Sequence, residues 1–367
     1  MIPLFKVFIP PKEDLMKPLE RVIYSGYIGQ GKKVEEFEAV LSNFIGNKYC
    51  LTLNTCTSAI QLALRLAGAT DGAEVITTAM TCTATNEPIL VERARIVWAD
   101  INPDTGNIDA KSIKEKITDK TKAIVVVHWG GNPVDLDAIN GLAKERDLAV
   151  IEDAAHAFGA EYNGVKIGNH SDFVCFSFQA IKHITTIDGG ALFCRRKDDY
   201  QRGKLLRWYG IDRESPRTDF RCEADILEWG YKFHMHDVAA TIGLTQMNWI
   251  KKILENRREI AAYYDRELAA VDGLKLSCVN QLGTQSAYWL YTILVERRDD
   301  FVKHMADRGV ATSRVHERND GHTMFREFRC PLPNVDKFVK SMICIPIGFW
   351  IDQEAREHIV HSIKDGW

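Results

Sequence analysis

No apolar run in this 367-residue sequence approaches the roughly 20 residues needed to cross a bilayer. The first residues, Met1-Ile2-Pro3-Leu4-Phe5-Lys6, also lack the charged lead and apolar stretch of a secretory signal, so a soluble, cytoplasmic protein without a membrane partner is expected. There is no C-x-x-C pair. Nine cysteines, at 50, 56, 82, 175, 194, 222, 278, 330 and 344, lie far apart, and their odd number and spread suit a reducing compartment. The pair His234-x-His236 and the neighbours His316 and His322 find no further ligand at metal-site spacing, so they read as structural and no metal is expected. Excess charge is missing too: 47 basic side chains against 50 acidic ones leave −3, which gives no field to attract nucleic acid. Repeats and low-complexity tracts are absent. Apolar residues at 46% and charged residues at 26% are globular averages, which excludes disordered, collagen-like and disulfide-scaffold classes.

What is present is alternation. From Tyr49 to about Cys194, short β-branched runs (Tyr49 to Leu53, Glu74 to Ile76, Ile96 to Trp98, Ala123 to Val127, Leu148 to Ile151, Phe173 to Phe178) are separated by helix-period stretches. That pattern predicts βαβ units and a mostly parallel sheet with helices on both faces. After Gly190 the chain becomes highly charged through Arg195 to Arg221, which reads as a solvated surface. Ile242 to Leu268 then reads as one long amphipathic helix, with Lys251, Lys252, Arg257 and Arg258 on its wet side. Beyond Gly273, strands at Leu274 to Leu276 and Tyr288 to Val295 and helices at Phe301 to Asp307 and Gln353 to Ile363 predict a smaller α+β unit.

Two glycine-rich motifs fail on inspection. Gly26-Tyr27-Ile28-Gly29-Gln30-Gly31-Lys32-Lys33 nearly fits a phosphate loop, but Lys33 stands where a hydroxyl should hold magnesium, and Arg21 to Ser25 is no buried strand. As a dinucleotide fingerprint it fails again, with Val34 at the third glycine position. A third segment, Asn54-Thr55-Cys56-Thr57-Ser58, is more promising. It follows a strand and opens a helix, where free N–H groups and hydroxyls suit a dianionic phosphate.

Leu148 to Asp153 is a strand ending in Glu152 and Asp153, two acids on opposite faces, with His156 just beyond. One acid faces the crevice at the carboxyl end of the sheet; the other is free to be solvated or to cap. An inward carboxylate calls for a cation. Lys182 follows the next strand among small and apolar residues, just ahead of Asp188-Gly189-Gly190. Desolvation lowers an amine's pKa, and a neutral amine can add to an aldehyde. An acid for a pyridinium nitrogen, an amine for an aldehyde and a helix start for a phosphate are together what pyridoxal 5'-phosphate requires.

On these residues the sequence resembles the DegT/DnrJ/EryC1/StrS family of fold-type-I aminotransferases acting on nucleotide-linked keto-sugars. Glu152 to Ala160, Phe176-Ser177-Phe178 with Lys182, Asp188-Gly189-Gly190 and Val125 to Pro133 carry the resemblance, which runs from Ser25 to Trp350. It implies an α/β architecture with a large, mostly parallel cofactor-binding domain over 1–248, including an N-terminal arm, and a small C-terminal α+β domain over 249–367. It further implies that Lys182 bonds to the cofactor aldehyde and shuttles the proton, that Asp153 holds the ring nitrogen protonated, and that His156 orients the ring. Thr57, Ser58 and Ser177 match phosphate-binding positions. The loop Gly230 to Asp237 matches one that reaches the neighbouring subunit's phosphate, with Lys232 where many members carry asparagine, so a homodimer with shared sites is expected.

Two positions depart from the family pattern. Cys82 replaces an aromatic residue that stacks on the ring, and Cys56 replaces a glycine of the phosphate turn. By the same resemblance the amino donor is L-glutamate and the acceptor a 3- or 4-keto-6-deoxy sugar on a nucleoside diphosphate, in surface-polysaccharide or related amino-sugar biosynthesis. Tyr288, Trp289, Arg314, His316, Glu317, Arg318 and His322 are the candidates for gripping substrate. In a dehydratase branch a histidine replaces the lysine; here Lys182 is retained and followed by His183, which favours transamination over dehydration or a non-catalytic regulatory role.

Overall fold

The computed structural model describes residues 1–215, 219, 225–277 and 283–367. Its strands in chain order are β1 (Cys50–Leu53), β2 (Glu74–Thr78), β3 (Arg95–Ala99), β4 (Thr121–Val127), β5 (Ala149–Asp153), β6 (Glu161–Tyr162), β7 (Val165–Lys166), β8 (Phe173–Ser177), β9 (Gly190–Cys194), β10 (Leu274–Leu276), β11 (Thr284–Gln285), β12 (Tyr291–Val295) and β13 (Met342–Ile345). Seven form one sheet in the order β1-β9-β8-β5-β4-β2-β3. From β8 to β3 all pairings are parallel, and β9 is antiparallel to both β8 and β1.

The alternation along each strand decides what the sheet touches. Ile124 and Val126 of β4 join Phe37, Phe158 and Phe178 on one face, while Ala123 and Val125 join Leu62, Ile89 and Trp98 on the other. Every residue of β8 and β9 is buried, as strands covered on both sides require. A third core surrounds Tyr264, Tyr291, Phe301 and Ile359, beneath the antiparallel sheet β10-β12-β13. The N-terminal arm joins this part of the molecule: Ile2 pairs with Val310, and the Trp350 indole donates to the Pro3 carbonyl at 2.9 Å.

Four local expectations are corrected. Ile242 to Leu268 is not one helix but two, Asp237–Met247 and Ile250–Leu268. The break has a tertiary cause, since Trp249 packs on Phe8 at 5.6 Å and Gln246 donates to the Phe8 carbonyl at 3.0 Å. Arg257, expected to be wet, is 4% exposed and donates to the carbonyls of Tyr288, Trp289 and Ile347. Burial lowers its pKa to about 10.

The strand expected from Tyr288 starts at Tyr291, because the preceding turn is bonded to Gly130 and Gly131 through the amides of Leu290 and Ala287. Gly131 has φ +101°, and a Cβ there would sit 2.6 Å from the His156 carbonyl and 2.9 Å from the Tyr288 amide. Glu152 is neither solvated nor a cap. It is fully buried and accepts from His128 at 2.8 Å, and because His128 Nδ1 accepts from the Val134 amide, Nε2 carries the proton.

The rejected glycine-rich segment follows the helix Lys12–Ser25, and the Asp237 carboxylate takes up the amides of Gly31 and Val34. His236 caps the helix it precedes, and His234 packs on Trp208 at 3.5 Å. Cys222, Cys278 and part of the charged stretch ending at Arg221 lie outside the described residues. Among the described residues, no helix is long and apolar enough to cross a membrane.

Candidate active site

At the carboxyl ends of β5 and β8, beside the first turn of the helix Cys56–Leu66, lies a cavity of about 570 Å³. Thr57, Cys82, Asp153, His156, Ser177 and Lys182 all line it, joined from the C-terminal part of the chain by Trp289 and His316. Ser58, Lys232, Arg314 and His322 do not line it. Ser58 turns its hydroxyl to Thr55 at 2.9 Å. Arg314 pairs with Glu317, and the amide of His322 bonds to the Asn319 carbonyl at 2.9 Å. Lys232 is exposed, near the rings of Trp208 and Tyr209 at 5.8 and 5.6 Å.

Asp153 ends β5 and is 5% exposed. Its Oδ2 accepts from the Thr85 hydroxyl at 2.6 Å and its Oδ1 from the Ala155 amide at 3.0 Å. Each carboxylate oxygen has a second lone pair, so the acid can still receive an N–H from the cavity. The helix Thr83–Val91 brings Thr85 here, a partner of Asp153 that the sequence reading missed. Its only early signal was the hydroxyl spacing of Thr81 and Thr85, one helical turn apart.

Lys182 projects from the turn after β8, with Nζ 3.5 Å from the Trp289 ring centroid. Burial lowers its pKa to about 8, against the opposing pull of Asp153, Cys56 and Cys82. Near physiological pH the amine is therefore still mostly protonated, but about a tenth to a fifth of it is neutral, against well under about a hundredth for an ordinary lysine. Trp289 is held by its indole N–H on the Ile181 carbonyl at 2.8 Å and stacks on His156 at 3.9 Å. Phe5 of the N-terminal arm covers the indole, with ring centroids 5.2 Å apart. His156 Nδ1 is buried and unpartnered, and burial, then Lys182, hold this imidazole well below its ordinary pKa. His316 lies parallel to it at 5.7 Å and is lowered to about 4 for the same two reasons.

Thr55 caps the helix Cys56–Leu66 by accepting from the Ser58 amide at 2.9 Å. The first-turn amides of Cys56 and Thr57 have no intrahelical acceptor, which is the usual state of a helix start and an anion site when a cavity faces it. Ser177 brings a hydroxyl to the same cavity from the end of β8. Gly190 makes this approach of strand to turn possible: a Cβ there would lie 2.6 Å from the Cys56 amide nitrogen and from the Thr55 carbonyl.

Comparison with known proteins bears on the family and the fold. The model of the DegT/DnrJ/EryC1/StrS aminotransferase family matches residues 11–364. The UDP-4-amino-4,6-dideoxy-N-acetyl-beta-L-altrosamine transaminase of Campylobacter jejuni subsp. jejuni serotype O:23/36 is 33% identical over 344 residues, 91% of this chain and 88% of its own. The sugar aminotransferase CalS13 from Micromonospora echinospora superposes with a TM-score of 0.95 at 38% identity, over 100% of both chains. Spr1654 from Streptococcus pneumoniae, solved in its PLP form, superposes with a TM-score of 0.91 at 27% identity, over 99% of this chain and 98% of that one.

Proposed function

The chain belongs to the DegT/DnrJ/EryC1/StrS aminotransferase family, and from that premise we propose that it moves an amino group from L-glutamate to the 3- or 4-keto group of a 6-deoxy sugar on a nucleoside diphosphate. The cofactor in this reading is pyridoxal 5'-phosphate, and the pathway is surface-polysaccharide or related amino-sugar biosynthesis. One observation carries the reading: a desolvated amine, an anchored carboxylate and open first-turn amides line the same cavity.

The donor set fits the cofactor group by group. The amides of Cys56 and Thr57 and the hydroxyls of Thr57 and Ser177 would hold the phosphate, Asp153 the ring nitrogen, and Lys182 the aldehyde carbon. His156, with a spare buried nitrogen, and Cys82 would flank the ring. When bound, the cofactor supplies an electron sink for the pair left as the donor's Cα loses its proton. Lys182 Nζ takes that proton and returns it across the 1,3-shift, a role that an amine with a pKa of about 8 suits as both base and acid. Asp153, its carboxylate oriented by Thr85 and Ala155, would face the ring nitrogen. Trp289 and His316 form the wall toward substrate.

Dehydration by the noncovalent route uses a histidine where Lys182 stands. His183 does not fill that place, because its ring is 1% exposed and engaged with the Ala287 carbonyl at 2.9 Å. The working unit in this reading is a homodimer, in which Lys232 serves the partner's cavity. Lys232 is exposed outside its own cavity, and Tyr24, Tyr27, Leu227 and Trp229 are exposed as well. In the same reading we divide the chain into domains at 248/249, between the helices Asp237–Met247 and Ile250–Leu268.

Incubation with L-glutamate and a panel of nucleotide-linked keto-sugars, followed by mass analysis, identifies the aminated product. Borohydride reduction and peptide mapping are expected to find the cofactor on Lys182; a tag on another lysine, or none, rejects the assignment.

A further inference from the structure

A buried chain of hydrogen bonds reaches Asp153 from the segment that carries His316. Three residues after His316, Asn319 is fully buried. Its side-chain NH2 donates to the Thr81 carbonyl at 2.7 Å, its side-chain oxygen accepts from Asn86 at 2.8 Å, and its backbone amide donates to the Ala79 carbonyl at 2.7 Å. Asn86, equally buried, donates to the Thr78 carbonyl at 3.0 Å and accepts from the Thr77 hydroxyl at 2.9 Å. The orientation of both amides follows from the chemistry, because the carbonyls of Thr78 and Thr81 can only accept.

Asn319 therefore clamps the turn from Thr77 to Asn86 from outside. Within that turn the hydroxyls of Thr81 and Thr85 are 2.8 Å apart, and Thr85 gives its single proton to Asp153 at 2.6 Å. Thr81 must then be the donor to Thr85. The relay has one direction, Thr81 to Thr85 to Asp153, and ends on the acid assigned to the ring nitrogen. Cys82, on the cavity wall, belongs to the same clamped turn.

We propose that Asn319 is a positioning residue for Asp153. It holds the Thr81–Thr85 hydroxyl pair in line, so that a donor is always aimed at the carboxylate and fixes its orientation, and it couples that acid to the segment that carries His316. The inference rests on the assignment of Asp153 to the ring nitrogen. Loss of a hydrogen bond to a charged group is expected to change a rate by about tenfold or more.

The test uses the full-length holoenzyme and the variants Asn319→Ala, Thr81→Val and Thr81→Ser, the double variant Asn319→Ala/Thr81→Val, and Asp153→Asn as a separate control. Thr81→Val removes the relay hydroxyl while leaving the carbonyl that Asn319 grips. Each of these two single changes is expected to lower kcat by about tenfold with little change in KM. Each should also move the pH dependence of the bound cofactor's visible absorption, the readout that a purely structural role would leave alone. Thr81→Ser should restore both. Because the two residues act in series, the double variant should lose little more than either single one.

Multiplying losses in the double variant, or wild-type absorption titrations in folded single variants, would overturn the proposal. If Asn319→Ala does not fold, Asn319→Asp, which keeps the acceptor for Asn86 and loses only the donor to Thr81, takes its place with the same expected and overturning results. Full activity in Asp153→Asn would instead reject the underlying assignment of Asp153.

Discussion

Asp153 and Lys232 are assigned to opposite ends of the cofactor, the first in its own chain's cavity and the second in the partner's, and the chain treats them differently. Around Asp153 everything is supplied from within: Thr85 and Ala155 reach its two oxygens, Thr81 stands behind Thr85, and Asn319 locks the turn. Around Lys232 the chain provides an exposed aromatic platform, with Leu227 92% and Trp229 62% exposed close by in sequence. In the proposed homodimer these apolar side chains and the cation would be covered by the second chain. The inner wall is thus an achievement of one chain, whereas the outer wall makes sense when a second chain closes it.

The largest expected effect breaks the inner wall. Lys182→Ala should reduce transamination by about 10⁴-fold or more, since both the proton carrier and the covalent anchor go together. Steady-state rates with L-glutamate and the accepted keto-sugar measure this, and a loss under tenfold would remove Lys182 from the chemistry. The next experiment sharpens the contrast between the walls. Lys232→Glu should impair every site through the partner's contact, and Lys182→Ala through the chain's own. In a heterodimer of the two variants, one site carries both defects and the other carries neither. Random reassortment of equal amounts should therefore restore about a quarter of wild-type activity, because half the dimers are mixed and half their sites are intact. If mixing restores nothing although subunit exchange is verified, Lys232 does not act across the interface.

The same contrast explains what could be read from the sequence. The placement of Asp153 and Thr57 was legible because they stand at a strand end and a helix start whose period is visible locally, Lys182 follows in the turn after β8, and Ser177 was added by the family resemblance; all four line one cavity. Gly190, read as part of a paired-glycine turn, instead opens β9, where a Cβ would meet Thr55 and Cys56, a tertiary reason. Residues whose surroundings come from far along the chain were not legible. Arg257 lies at a wet-looking helix position until the carbonyls of Tyr288, Trp289 and Ile347 are folded over it. The break at Trp249 depends on Phe8, and the burial of Glu152 depends on His128. Phe5 and Asn319 belong to segments with no periodic signal, yet one covers Trp289 and the other locks the turn behind Asp153.

The smallest expected effect is a titration that separates the two lysines. In the cofactor-free chain, burial lowers the Lys182 amine from 10.5 to about 8. A folded-state pKa below the unfolded one means that the folded chain binds fewer protons between those two values, so this group's contribution to stability rises with pH across that window. It is complete above the unfolded pKa and is lost as the pH falls through about 8. Relative to Lys182→Met, whose side chain has no charge to desolvate, the cofactor-free wild type should therefore gain in melting temperature as the pH is raised from 7.5 toward about 10. Lys232→Met, a change at an exposed site, should show no such trend. A flat difference for Lys182 would mean that its amine is solvated in the folded chain, and the contrast between a dry inner wall and a wet outer one would have to be given up at that residue.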